Sequence, residues 1–160
     1  MGEEANLTVR KAVIGDVATI QNLANHFASE GAMLPLSLSE IYEHIRDFSV
    51  AEKDGDVVGV CALHVIWEDL AEVRSLAVDP CCRDLGIGRA MVESCLEEAG
   101  RLRLHQVFAL TYEEEFFRRL GFDVVDKGTL PHKVWKDCLK CTKFPDCDET
   151  AVLKRVEPVG

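Results

Sequence analysis

Residues 73–93 read VRSLAVDPCCRDLGIGRAMVE, and this stretch decides the fold. An apolar run over 70–79 has the length and patterning of a strand and stops at Asp79-Pro80. "RDLGIG" (83–88) follows as a glycine-bearing turn. Residues 88–100 then set Met91, Val92, Cys95, Leu96 and Ala99 on one side of a helix. A glycine turn between a strand and a helix has a specific use. The first N–H groups of the helix lack internal partners, and with the helix dipole they favour an anion such as a pyrophosphate. Gly86 and Gly88 let the backbone approach such a ligand with no Cβ in the way. Arg83 adds a charge-assisted contact. The pattern R-x-x-G-x-G is neither the dinucleotide fingerprint nor a P-loop. An ordinary strand-to-helix turn uses the same residues, but the strand before it and the patterned helix after it favour the anion site.

Working outward, "LTVRKA" (7–12) is a strand. A helix follows, with Val17, Ile20, Leu23, Ala24 and Phe27 on one face, Asp16 at its N-cap and Gly31 at its end. "SLSEIYEHIRDF" has the same grammar: Ser37 or Ser39 caps, and Ile41, Ile45 and Phe48 form a face. "SVAEKDGDVVGVCALHVIW" reads as two strands joined at an Asp-Gly turn. Beyond the helix at 88–100 come a strand at 106–111, the helix "EEEFFRRLG" closed by Gly121, the strand "FDVVD", an irregular segment and the strand "TAVLKRV". The order predicts an α/β fold with a mixed sheet, an antiparallel meander followed by β-α-β-α-β, in a single domain over 1–160.

Composition narrows the function classes. The 160 residues carry a formal charge of −10, which argues against a nucleic-acid partner, since a phosphate backbone needs a basic face. No apolar run approaches a membrane span of about 20 residues, and the N-terminus has no signal-peptide pattern. A cytoplasmic protein is expected. Its seven cysteines are an odd number without an export signal, so Cys61, Cys81, Cys82 and Cys95 are expected as reduced thiols.

The residues "EVRSLAVDPCCRDLGIG" (72–88) resemble the central motif of the GNAT N-acetyltransferases, and "FFRRLGF" (116–122) is similar to the family's second block. Within that family, "VRKAVIGDVATIQNL", "FSVAEKDGDVVGVCAL", "EVRSLAVDP" and "VFALT" resemble the acetyltransferase domain of the N-acetylglutamate synthases, and the small form, with no amino-acid-kinase domain, is expected. The resemblance implies the GNAT acyl-CoA N-acyltransferase fold, acetyl-CoA as co-substrate and a small-molecule amine as acceptor. It implies acetylation of the α-amine of glutamate or another amino acid by direct attack in a ternary complex, a step of arginine biosynthesis. The pyrophosphate site then comprises Arg83, Asp84, Leu85, Gly86, Ile87, Gly88 and Arg89, while Leu76, Ala77 and Val78 line the pantetheine arm. Glu72 stands where related enzymes keep a carboxylate near the reacting amine. The tyrosine that serves many family members as general acid is replaced by Phe117. The stretch "MLPLS" (33–37) has Leu36 where glutamate synthases usually carry a carboxylate-binding arginine.

Acetyl transfer needs a neutral amine, donors for the thioester oxygen and a proton for the leaving thiolate. Glu72 is the candidate base, acting through a water, and its bland alternative is an exposed strand-end carboxylate. Backbone N–H groups near Leu76 and Val78 are the candidate oxyanion donors. Tyr112 is the candidate acid, with Thr111, a candidate cofactor-binding residue, beside it at the end of a strand, and a packed aromatic is the competing account of Tyr112. Arg74 is the candidate partner for a substrate carboxylate, with Lys133, Lys136, Lys140 and Lys143 behind it. Arg118 and Arg119 are expected to pair with Glu114 and Glu115 one helical turn back. Cys138, Cys141 and Cys147 begin with C-x₂-C but supply three of the four ligands of a closed zinc site, with His132, Cys81 or Cys82 as a fourth. A structural metal or a redox disulfide is the alternative; loop thiols are the expected reading, and no metal is assigned. His26, His44, His64 and His105 share no spacing. Other amine acceptors (a polyamine, an antibiotic, a protein N-terminus), a non-catalytic acyl-CoA sensor and a homodimer stay open at this point.

Overall fold

Asp54 and Gly55 turn the chain between two strands, with φ of 55° and 88°. Two consecutive positive φ values match the right-handed twist of the flanking strands, which is why Asp-Gly stands here. The computed structural model describes residues 7–29, 36–82, 85–130 and 149–157. Its strands are β1 (Leu7–Lys11), β2 (Phe48–Lys53), β3 (Asp56–Trp67), β4 (Leu70–Val78), β5 (Gln106–Thr111), β6 (Asp123–Val125) and β7 (Thr150–Arg155). The helices are α1 (Val17–Ser29), α2 (Leu38–Glu43), α3 (Ile87–Arg101) and α4 (Glu114–Arg119). In hydrogen-bonding order the seven-stranded sheet reads β1-β2-β3-β4-β5-β7-β6. The mixed α/β expectation is therefore met. None of the helices among the described residues is long and apolar enough to cross a membrane.

The described residues fall in two compact units, one drawn from residues 1–63 and 73–97 and the other from 64–72 and 98–160. In the first, β1, β2 and β3 form an antiparallel meander, from Leu7↔Lys53 to Lys11↔Ser49 and from Phe48↔Ala62 to Lys53↔Asp56, with a bulge at Ala51/Glu52. Val17, Ile20, Ile41, Phe48, Val50, Val60, Ala62 and Ala77 make its core. The helical spacing of Val17, Ile20 and Ala24 brings all three into the interior. Ser37 is the cap of α2, accepting from the Glu40 N–H at 3.1 Å while Glu40 returns a bond to the Ser37 N–H.

Asp16 ends a short 3₁₀ turn rather than standing alone before α1, and its carboxylate accepts from the Val13 N–H at 2.8 Å. Both of its oxygens also receive Arg10, at 2.8 and 3.1 Å, and Arg10 reaches Glu52 on β2 at 2.7 Å. The Arg10 hydrogen bond holds the Asp16 carboxyl below its usual range, against the opposing effect of burial.

In the second unit β4 runs parallel to β5, and β7 lies antiparallel between β5 and β6. Leu70, Phe108, Leu130 and Ala151 form its core, with Ile66, Leu110, Val125 and Leu153 against it. Gly121 closes α4 with φ of 95°, the left-handed conformation that suits glycine at a helix end. Phe117 packs edge-on against Phe116 and Phe122, each centroid 5.1 Å away.

Candidate active site

In the first unit, β4 ends at Val78 and the chain turns at once. The Asp79 N–H donates to the Val58 carbonyl at 2.8 Å, and the Cys82 N–H returns to the Asp79 carbonyl at 2.8 Å, making a tight turn over Pro80–Cys82. Arg83 and Asp84 lie outside the described residues. Gly86 has φ of 77°, and a Cβ built there would meet nothing within 4 Å. Conformation, not space, therefore demands glycine at this position. The first helical bond of α3 runs from the Ala90 N–H to the Gly86 carbonyl at 3.0 Å. The N–H groups of Ile87, Gly88 and Arg89 thus precede the intrahelical ladder. Ile87 is buried and seats the helix start, Gly88 is half-buried, and Leu85 is exposed. Arg89 is exposed and bonds to Glu93 at 3.1 Å. With fifteen residues behind it, this end of α3 has the dipole and donors of an anion site.

Along β4, Ala77 is in the core while Leu76 and Val78 are half-buried, so successive side chains alternate between faces. Ala77 can therefore serve a ligand through its backbone only. Arg74 is half-buried. Between Arg74 and Leu76, Ser75 has φ of 59° in mid-strand. Left-handed backbone is uncommon for a serine and interrupts the regular pleat. Nothing in the residue types of "VRSLAV" signals it, and the sequence reading missed it.

In the second unit, the parallel register of β4 with β5 is short. It runs from Leu70↔Gln106 to Glu72↔Phe108, although β4 continues to Val78 and β5 to Thr111. Glu72 stands at the last of these pairs and is 8% exposed, so it is not the exposed strand-end carboxylate of the bland reading. Thr111 is buried at the end of β5, and its hydroxyl accepts from the Glu113 N–H at 2.8 Å, which ties the strand end to the start of α4. Tyr112 is exposed. Phe117 is 3% exposed among rings, a core residue. Arg118 and Arg119 pair with Glu114 and Glu115 at 3.4 and 3.7 Å, as the helical spacing predicts.

Leu36 is half-buried and packs on the first unit's core. Cys61 and Cys95 are buried thiols, and Cys82 is a half-buried one. Cys138, Cys141 and Cys147, His132, and Lys133, Lys136, Lys140 and Lys143 lie outside the described residues.

Residues 44–124 match the Acetyltransferase (GNAT) domain family. The chain belongs to the GNAT acetyltransferase family. Like other GNAT enzymes it uses acetyl-CoA as co-substrate, and it is an acetyl-CoA-dependent N-acetyltransferase. It is 41% identical to an uncharacterized N-acetyltransferase of Chlorobaculum tepidum over 150 residues, which cover 94% of this chain and 97% of that one. It is 44% identical to an amino-acid acetyltransferase of Mycobacterium tuberculosis over 132 residues, 81% of this chain and 75% of the relative. Among solved structures, it is similar to the N-acetylglutamate synthase of Neisseria gonorrhoeae, complexed with coenzyme A and N-acetyl-glutamate. There the TM-score is 0.86 at 27% identity, over 94% of this GNAT chain and 35% of the synthase chain, so it spans about a third of that enzyme.

Proposed function

We propose that this GNAT enzyme acetylates the α-amine of a small amino acid, with glutamate the first substrate to test. The observation that carries this reading is the 44% identity to an amino-acid acetyltransferase that the chain covers over 75% of its length. The similarity to the synthase complexed with N-acetyl-glutamate supports the glutamate reading.

In this reading the N–H groups that open α3 receive the pyrophosphate of acetyl-CoA, Gly86 gives the turn its left-handed bend, and Arg83, Asp84, Leu85 and Arg89 complete the loop. The backbone of β4 at Leu76, Ala77 and Val78, past the short register with β5, pairs with the pantetheine arm. The interruption at Ser75 releases that segment from the regular pleat. Glu72 takes a proton from the substrate ammonium through a water. The neutral amine attacks the thioester carbon, and its oxygen becomes an oxyanion that N–H groups near Leu76 and Val78 stabilise. The C–S bond breaks as the carbonyl reforms, the nitrogen releases its second proton to water, and Tyr112 gives a proton to the departing thiolate. Arg74 faces the substrate carboxylate.

The position of Leu36 favours a second, narrower reading. With its side chain against the core, this position offers no cation to a second carboxylate, which suits an amino acid with a smaller or uncharged side chain. The test is thiol release from acetyl-CoA with a panel of twenty amino acids, polyamines and peptide N-termini. Glutamate with the highest kcat/KM supports the first reading, and another amino acid the second. Turnover confined to polyamines or peptides would overturn both.

A further inference from the structure

In the first unit β3 and α3 meet at close range. A Cβ built on Gly59 would stand 3.0 Å from the Met91 sulfur and 3.1 Å from Ile87 Cγ2, so the helix rests directly on the strand at that point. Two residues further along β3, on the same face, stands Cys61. One helical turn beyond Met91 stands Cys95. Their Sγ atoms are 3.6 Å apart, both thiols are free, and their exposures are 0% and 1%. Neither belongs to the reaction above.

We propose that Cys61 and Cys95 are a latent redox site, which a two-electron oxidant of the peroxide class closes to a disulfide within the folded enzyme, stapling β3 to α3. The step balances with hydrogen peroxide: one sulfur displaces water to become a sulfenic acid, and the second displaces another water to form the S–S bond. Two thiols and one peroxide thus become one disulfide and two waters. The sulfurs need to close by only ~1.5 Å to reach the bonded distance. Contact with Cys95, and then burial, hold the Cys61 thiol well above its ordinary pKa. Thiolate is therefore scarce, and the bond forms slowly, through transient openings of the interface. The two residues are 34 positions apart, so the link closes a long loop of the unfolded chain and opposes unfolding.

Trypsin gives fragments 54–74 and 90–101, which contain Cys61 and Cys95 respectively and no other cysteine. Reduced protein is held in hydrogen peroxide under native conditions, then alkylated in denaturant and digested. The expected product is these two fragments joined, with an unfolding midpoint raised by about 5–10 °C and returned by dithiothreitol. Cys61→Ala and Cys95→Ala each remove both effects. Recovery of the two fragments separately alkylated, from samples in which Cys82 has been oxidised, overturns the proposal. So does linkage of either to a different cysteine. If the alanine variants fail to fold, the fragment map of the unsubstituted enzyme decides alone.

Discussion

Asn25 clasps the backbone of Leu36: its side-chain oxygen accepts from the Leu36 N–H at 3.0 Å, and its amide nitrogen donates to the Leu36 carbonyl at 3.4 Å. Gln21, one turn earlier on α1, donates to the same carbonyl at 3.3 Å. The bonds fix the backbone at the approach to α2, and the Leu36 side chain packs on the core. Leu36→Arg is therefore expected to cost about 1–2 kcal/mol of stability through lost apolar packing, without lowering KM for glutamate. Asn25→Ala is expected to cost a similar ~1–2 kcal/mol. Thermal unfolding and steady-state kinetics check both. A severalfold lower KM for glutamate in Leu36→Arg would mean that the side chain faces the substrate after all.

Glu72→Gln is expected to lower kcat about 100-fold while the KM for acetyl-CoA stays within a factor of two. Tyr112→Phe is expected to lower kcat about tenfold. Measuring kcat from pH 6 to 9 separates the roles, since loss of the base removes the acid limb of the profile and loss of the acid removes the alkaline limb. A Glu72→Gln enzyme with normal kcat across that range rules the carboxylate out as base.

Two glycines of the first unit should respond differently to alanine. At Gly86 the space is open and φ is 77°, so Gly86→Ala is expected to cost about 1 kcal/mol and to raise the KM for acetyl-CoA as the turn relaxes. Gly59 has no such φ, but an added methyl group would press on Met91 and Ile87, so Gly59→Ala is expected to cost about 1–3 kcal/mol of overpacking. Unfolding midpoints and acetyl-CoA titration distinguish the two. An unchanged KM in Gly86→Ala and in Arg83→Ala together would contradict the pyrophosphate assignment.

The Arg10–Asp16 pair sets an acid limit on stability. The folded protein holds Asp16 ionised to lower pH than the unfolded chain does, so its contribution is fully present above the ordinary carboxylate pKa. It is lost as pH falls through the lower, folded value. Asp16→Asn is expected to cost about 2 kcal/mol at pH 7, a difference that shrinks below pH ~4. Urea unfolding at pH 7 and pH 3 provides the measurement. An equal difference at both values would show that the charge on Asp16 does not matter.

Much of the fold was legible because its signals are local. Asp54-Gly55 announces a hairpin by conformational preference, and Ser37 with Glu40 announces a helix start by short-range bonding. The face of Met91, Val92, Cys95 and Ala99 on α3 is set by helical period alone. Asp16 was only partly readable: a capping role is visible three residues from Val13, but Arg10 and Glu52 reach the same cluster from two strands. The buried state of Glu72 follows from its place at the end of the parallel register, which no window of sequence contains.

The sequence by itself determined the order of elements, the hairpin turn, the glycine turn that opens α3 and, through its motif, the acyl-CoA family. These depend on residues within a few positions of one another, where backbone preference and helix or strand period act directly. The left-handed backbone at Ser75, the inward packing of Leu36 and the meeting of Cys61 with Cys95 were decided only in the tertiary structure. Each depends on what the folded chain brings against that residue, and a serine, a leucine or a cysteine carries no local mark of such a neighbour.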